Sequence, residues 1–190
     1  MFFESNTNVV DQVLIIESPT FDRTSTRGRC FTFWYYLKNF NGSFTFELLD
    51  TKLLSLTVVW QLIVDEPISS GQWEFASFGF YSENEYSVVN SLIFANELGS
   101  VALDDFSFKE SHLCSVYPAA AQTSYQPNIP TPTKPMLTTK APSSLDCDFE
   151  NSALNGGFCA WQVVKTLPIE WTRNKGHSLS FGTGPQVDHT

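Results

Sequence analysis

Basic side chains are scarce in this chain. Eleven Lys and Arg stand against twenty Asp and Glu in 190 residues, a formal charge of −9. That sign opposes binding to a phosphate backbone, which gains its affinity by releasing counterions to cationic side chains. Nucleic acid and anionic membrane surfaces are therefore not expected as partners. No run of roughly 20 apolar residues is present to span a bilayer. The most apolar stretch, residues 53–64, is interrupted by Ser55, Thr57 and Gln61, so no transmembrane segment is expected. The opening MFFESNTNVV has neither a cationic leader nor an apolar block of about 7 to 15 residues, so no signal peptide is expected in this chain. Cys-x-x-Cys pairs are missing although there are four cysteines, which disfavours a zinc ribbon or a dithiol redox site. Neither H-E-x-x-H nor G-x-S-x-G occurs, so zinc hydrolase and serine nucleophile chemistry have no foothold. His112, His177 and His189 are scattered and are expected at the surface or in hydrogen bonds.

What the chain has in abundance is aromatic surface. Seventeen Phe, six Tyr and five Trp make up 15% of the residues, within a hydrophobic total of 42%, enough for one sizeable core. Residues 1–114 read as several short strands separated by turn signals, with no helical periodicity, at a spacing typical of sandwiches and barrels. Phe31, Phe33, Tyr35 and Leu37 share one face of an extended segment, as do Phe44, Phe46 and Leu48, and Val58, Trp60, Leu62 and Val64. Asn41-Gly42 between the first two runs suggests a hairpin turn, because both residues tolerate positive φ. In WEFASFGF the aromatic parity changes between Phe75 and Phe78, which a bulge would explain. Further strands are expected over residues 86–95 and 101–108. Trp34, Trp60, Trp73, Trp161 and Trp171 are expected to fill the core.

Three segments follow from composition. Residues 1–114 form the strand-rich part. Residues 115–146 hold six of the ten prolines, five threonines and four serines, a Pro/Thr-rich linker expected to be disordered or an O-glycosylated stalk. Residues 147–190 are too few to fold without a staple or a partner. Three pairings of the four cysteines are possible, but the linker divides them two and two, favouring Cys30 with Cys114 and Cys147 with Cys159.

CDFENS (147–152), Cys159-Ala160-Trp161 and TGPQVDHT (183–190) resemble the opening motifs of a MAM domain. IESPTF (16–21), CFTFWYYL (30–37), Trp60, Gly71-Gln72-Trp73, GSVALDDFSF (99–108) and Cys114 resemble its later part. The resemblance implies that 1–114 is the C-terminal part of a MAM-like domain and 147–190 the N-terminal part. It also implies an all-β jelly-roll β-sandwich, extracellular or at the cell surface, within a larger membrane or secreted protein of repeated MAM domains. The function implied is noncatalytic recognition and cell adhesion, through protein partners or self-association. The same two disulfides are implied. No cofactor is required, but acidic residues in the corresponding motifs can hold a cation. Carried across, these are Glu150, Asp188 and one of Asp104 or Asp105, oxygen ligands suited to Ca²⁺ or Na⁺.

Neither stretch is a whole domain in sequence order, and their breaks nearly coincide. The arrangement expected is therefore a sandwich completed in circularly permuted order, within one chain or by exchange between chains, which removes open sheet edges and a half-built core. The alternative is a slice of a tandem array whose pieces pair with absent neighbours. Two rival functions are a carbohydrate-active jelly-roll enzyme and a structural spacer in a mucin-like stalk. The enzyme needs paired acids, and Asp104 and Asp105, as strand neighbours, are expected to point to opposite faces. Asn41-Gly42-Ser43 is the one N-x-S/T sequon, making Asn41 the candidate glycosylation site.

Overall fold

The computed structural model describes residues 1–5, 12–68, 71–95, 99–111, 114–123, 125, 146–150, 155–164, 171–173, 185, 187 and 189. Nine strands are found among them: β1 (Phe2–Ser5), β2 (Gln12–Glu17), β3 (Arg29–Lys38), β4 (Phe40–Asp50), β5 (Ser55–Ile68), β6 (Trp73–Phe80), β7 (Tyr86–Phe94), β8 (Gly99–Glu110) and β9 (Gln162–Val164). They form two antiparallel sheets, one in the order β1-β8-β3-β6 and the other β5-β4-β7-β2-β9. The protein is an all-β sandwich.

Alternation builds the core. Phe31, Phe33 and Tyr35 on β3 face Phe44, Phe46 and Trp60 on the opposite sheet, and all are at most 2% exposed. Phe33 meets Phe46 at 4.6 Å and Trp60 edge-on at 5.4 Å between ring centroids, the tilted and edge-to-face geometries that ring quadrupoles favour.

The C-terminal stretch completes this core rather than standing apart. β9 adds to the edge of β2, with Ile16 opposite Val163, and Cys147 exchanges two backbone hydrogen bonds with Phe106 on β8. Trp161, 1% exposed, packs at 4.8 Å from Phe106 and 6.2 Å from Phe31. Phe149 packs on Phe106 at 4.9 Å, and Trp171 on Phe3 at 6.4 Å. Both disulfides are formed: Cys30 with Cys114, and Cys147 with Cys159. In the chain-entropy account the long loop contributes about 4 to 5 kcal/mol and the short one about 3. Neither bridge links the two stretches, so beyond the connecting chain they are held by packing, strand pairing and side-chain hydrogen bonds such as Trp73 Nε1 to the Val187 carbonyl.

Four local expectations are corrected. Asn41-Gly42 is not a hairpin turn, because β3 and β4 belong to different sheets. The chain crosses between them at Asn39, whose φ is 51°, and this lets both aromatic faces look inward at each other. Gly42 lies within β4, where a Cβ would come 1.9 Å from the Ile93 carbonyl oxygen. Second, β6 runs against β3 without a register shift. Its inward positions are Ala76, Phe78 and Phe80, so Trp73 and Phe75 lie on the outer face. The irregularities lie elsewhere: β5 has one extra residue at Val59, between Val58 and Trp60, and two more where 65–67 face Asn41, and β8 has one opposite Phe33. Third, Trp60, Trp161 and Trp171 are core residues, whereas Trp34 and Trp73 are not.

The fourth concerns the Pro/Thr-rich segment, whose start is docked. Tyr117 exchanges backbone hydrogen bonds with Ser77 on the β6 edge, and Gln122 does so with Gln61 on the β5 edge. Trp60 Nε1 donates to the Tyr117 carbonyl at 3.0 Å, and the Tyr125 hydroxyl donates to the Tyr81 carbonyl. The segment thus bridges the two sheets along one side of the sandwich. Residues 124 and 126–145, where disorder is expected, lie outside the described residues.

Because Trp161 is enclosed by rings from the body of the sandwich, Trp161→Ala is expected to destabilise the whole domain. A loss of about 3 to 5 kcal/mol in one cooperative transition is expected in denaturant unfolding with disulfides intact. A separate early transition of the C-terminal stretch would contradict the shared core.

Candidate cation site and the aromatic outer face

The extra residue in β8 helps gather two carboxylates and a histidine ring. Thr32 pairs with Ser107 and Trp34 with Asp104, so Phe33 faces two residues, Asp105 and Phe106. Asp105 takes φ of 51°, a region that Asp enters more readily than most residues because its short side chain bonds locally. The Asp105 N–H donates to Asp104 Oδ1 at 2.9 Å. This turn cancels the strand alternation. The two carboxylates do not point to opposite faces; each offers an oxygen within 4.8 Å of the other and of a His189 ring nitrogen.

His189 brings the C-terminal stretch over the outer face of the four-stranded sheet. Its Nδ1 lies 2.9 Å from Asp105 Oδ2, and its ring stacks on Trp34 at 4.0 Å, with Trp73 at 5.8 Å. Trp73 Nε1 donates to the Val187 carbonyl at 3.3 Å. Asp104 is 2% exposed, while the side chains of His189 and Asp105 are 19% and 30% exposed. Two carboxylates and one imidazole can hold a cation; oxygen alone suits Ca²⁺ or Na⁺, and the nitrogen adds affinity for first-row metals.

The other expected ligands do not all join this group. Glu150 follows the loop at 146–149, where its N–H donates to Asp148 Oδ1 at 2.9 Å and its carbonyl accepts from Arg173 Nη2. Its carboxylate is not part of the cluster found among the described residues. Asp188 lies outside the described residues, as do His112 and His177. His189 was missed as a cluster member, although it adjoins Asp188 in the DHT motif. Asn41, the sequon residue, is in β4, and its Nδ2 donates to the Asp65 carbonyl at 3.0 Å.

Beside the cluster, the outer face is aromatic. Phe75 neighbours Trp34 at 5.5 Å and Tyr117 at 6.2 Å, with Phe75 36% and Tyr117 52% exposed. On the inner side, burial and the Glu74 carboxylate push the Tyr35 hydroxyl far up from its ordinary value, so it stays a donor, to Glu74 Oε2 at 2.7 Å.

No model of a known protein family matches the chain. Among the described residues no helix is long and apolar enough to cross a membrane. Two disulfides and no free cysteine suit an oxidising environment.

The left-handed turn at Asp105 yields a direct check. Asp105→Val places a β-branched residue where its backbone is strained, costing about 1 to 3 kcal/mol, whereas Asp105→Gly removes the same carboxylate without that strain. Thermal unfolding is expected to rank Gly clearly above Val. Equal midpoints would show that the bulge relaxes.

Proposed function

We propose that the chain is a noncatalytic recognition and adhesion module that works outside the cell. In this reading it is a MAM-like jelly-roll domain whose N-terminal part follows its C-terminal part in the sequence. One observation carries the reading: the two stretches that resemble separate parts of one domain share a single core, with Trp161 packed against Phe106 and β9 on β2. The two disulfides add support, since each joins the pair of cysteines that the resemblance implies. Partner recognition then falls to the outer faces of the sheets, and Asn41 is the proposed glycan site.

A hydrolase reading has less behind it. Asp104 and Asp105 lie together, but glycosidase carboxylates stand about 5 to 9 Å apart across a cleft that admits substrate, and Asp104 is 2% exposed. Asp104 and Asp105, with His189 beside them and Asp188 from the resemblance, are instead proposed to hold Ca²⁺ or Na⁺ as a structural ion between β8 and the C-terminal stretch, without Glu150.

The test of function is a binding screen. Beads carrying the whole chain at high density are expected to bind a cell-surface protein or to aggregate with one another, and the soluble chain is expected to release no sugar from polysaccharides. Hydrolysis would overturn the reading. For the ion, calcium at about 100 times its dissociation constant is expected to raise the unfolding midpoint by about 5 to 10 °C, an effect that Asp105→Asn abolishes. An unchanged midpoint in calcium and in sodium would remove the ion from the account.

A further inference from the structure

One end of the sandwich holds a buried cation without a counter-charge. Arg29 opens β3, and strand alternation points it the way of Phe31 and Phe33, into the space between the sheets. It is 7% exposed. Its guanidinium carbon lies 5.7 Å from the Phe21 ring centroid and 5.9 Å from that of Tyr86, near the limit of about 6 Å for a cation–π contact. Arg29 Nη1 is sealed from solvent and has no hydrogen-bond acceptor among the described residues. The Tyr86 hydroxyl, on a residue that is 0% exposed, is likewise sealed and without a partner there.

The surroundings are apolar and tied down. Phe21 and Tyr86 exchange two backbone hydrogen bonds, and their rings meet at 5.4 Å, with Phe80 at 5.3 Å from Tyr86 and Phe108 at 5.5 Å from Phe21. Residues 22–28, which join Phe21 to Arg29, are fastened to the loop before Tyr86. The Thr24 N–H donates to the Ser82 carbonyl at 3.0 Å, and the Ser82 N–H donates to Thr24 Oγ1 at 3.0 Å.

No carboxylate answers the charge. Asp22 follows Phe21, Glu83 and Glu85 precede Tyr86, and Glu110 is opposite Arg29 on β8. All four are exposed, and among the described residues none forms an ion pair with Arg29. Burial pushes the Tyr86 hydroxyl well above its ordinary value, while the Arg29 charge pulls it down and the Asp22 charge pushes it up. The hydroxyl therefore keeps its proton and can donate.

Two donors at one apolar site thus lack an acceptor. A buried polar group left unpaired is costly, and a buried charge left unpaired is costlier. A water molecule accepts hydrogen bonds but leaves the charge uncompensated. An anion does both, and the seal around the two donors restricts it to a small one.

We infer that Arg29 and Tyr86 form a binding site for a small monovalent anion of halide size, which accepts hydrogen bonds from Arg29 Nη1 and the Tyr86 hydroxyl. The ion joins the start of β3 in one sheet to the start of β7 in the other, so its role is structural.

Thermal unfolding of the whole chain with disulfides intact tests it, at fixed sodium concentration and ionic strength, with chloride exchanged stepwise for methanesulfonate. Chloride at about ten times its dissociation constant is expected to raise the midpoint by about 3 to 6 °C. Tyr86→Phe, which removes one oxygen and keeps the ring, is expected to raise that dissociation constant about tenfold. Arg29→Met is expected to abolish the chloride dependence, yet to be at least as stable as the unaltered chain in methanesulfonate, because the uncompensated charge is gone. An arginine that only packs would instead lose stability equally in both salts. A crystal soaked in bromide is expected to show anomalous scattering beside Arg29 Nη1. Equal midpoints in the two salts, a chloride dependence that survives Arg29→Met, or a soaked crystal without bromide at the site overturns the proposal and leaves water as the acceptor.

Discussion

The structure depends on the enclosure of Phe106 by rings from both ends of the chain. Phe106 on β8 touches Phe31, Phe33 and Phe46 from the body of the sandwich, and Trp161 and Phe149 from the C-terminal stretch. Three large side chains of that stretch, Phe149, Trp161 and Trp171, are each at most 2% exposed. Each ring buries about 150 to 250 Å², or about 4 to 6 kcal/mol of transfer free energy as an upper estimate. Their sum rivals the whole stability of an ordinary domain, about 5 to 15 kcal/mol. Residues 1–114 without this packing have little margin left, and residues 147–190 without the body have nothing to bury against.

Much of this was legible in the sequence because period-two alternation is a direct consequence of a half-buried strand. Phe31, Phe33 and Tyr35 announced β3, and Phe44 and Phe46 announced β4. Sheet membership was not legible. Two inward-facing runs joined by a short connection look the same whether the strands pair as a hairpin or face each other across a core, and Asn41-Gly42 weighted the reading toward the first. The WEFASFGF run misled for a related reason. Aromatic residues were assumed to point inward, whereas Ala76 takes the inward position and Phe75 the outward one. The bulge in β8 left no pattern, because it rests on Asp105 adopting positive φ, which many residues resist and Asp merely tolerates.

That bulge links fold to site. It turns two consecutive carboxylates to one side, where His189 reaches them from the far end of the chain and stacks on Trp34. The same closure that fills the core with Trp161 thus lays the last described residues across the outer face of the four-stranded sheet. The two outer faces then diverge: one is aromatic, with Phe75 and Tyr117 beside a carboxylate pair, and the other leaves Leu56, Ile63 and Ile93 exposed.

The central claim is mutual completion of the two stretches, and fragment complementation tests it most directly. A specific protease site placed within residues 126–145 severs the chain without cutting either disulfide, since Cys30–Cys114 and Cys147–Cys159 each lie within one fragment. After separation in denaturant with the disulfides intact, each fragment refolded alone is expected to show no cooperative unfolding, and mixing them in equal amounts is expected to restore a single transition and the near-ultraviolet signal of buried Trp161. A first fragment that unfolds cooperatively by itself, with a midpoint unchanged by adding the second, would contradict the account.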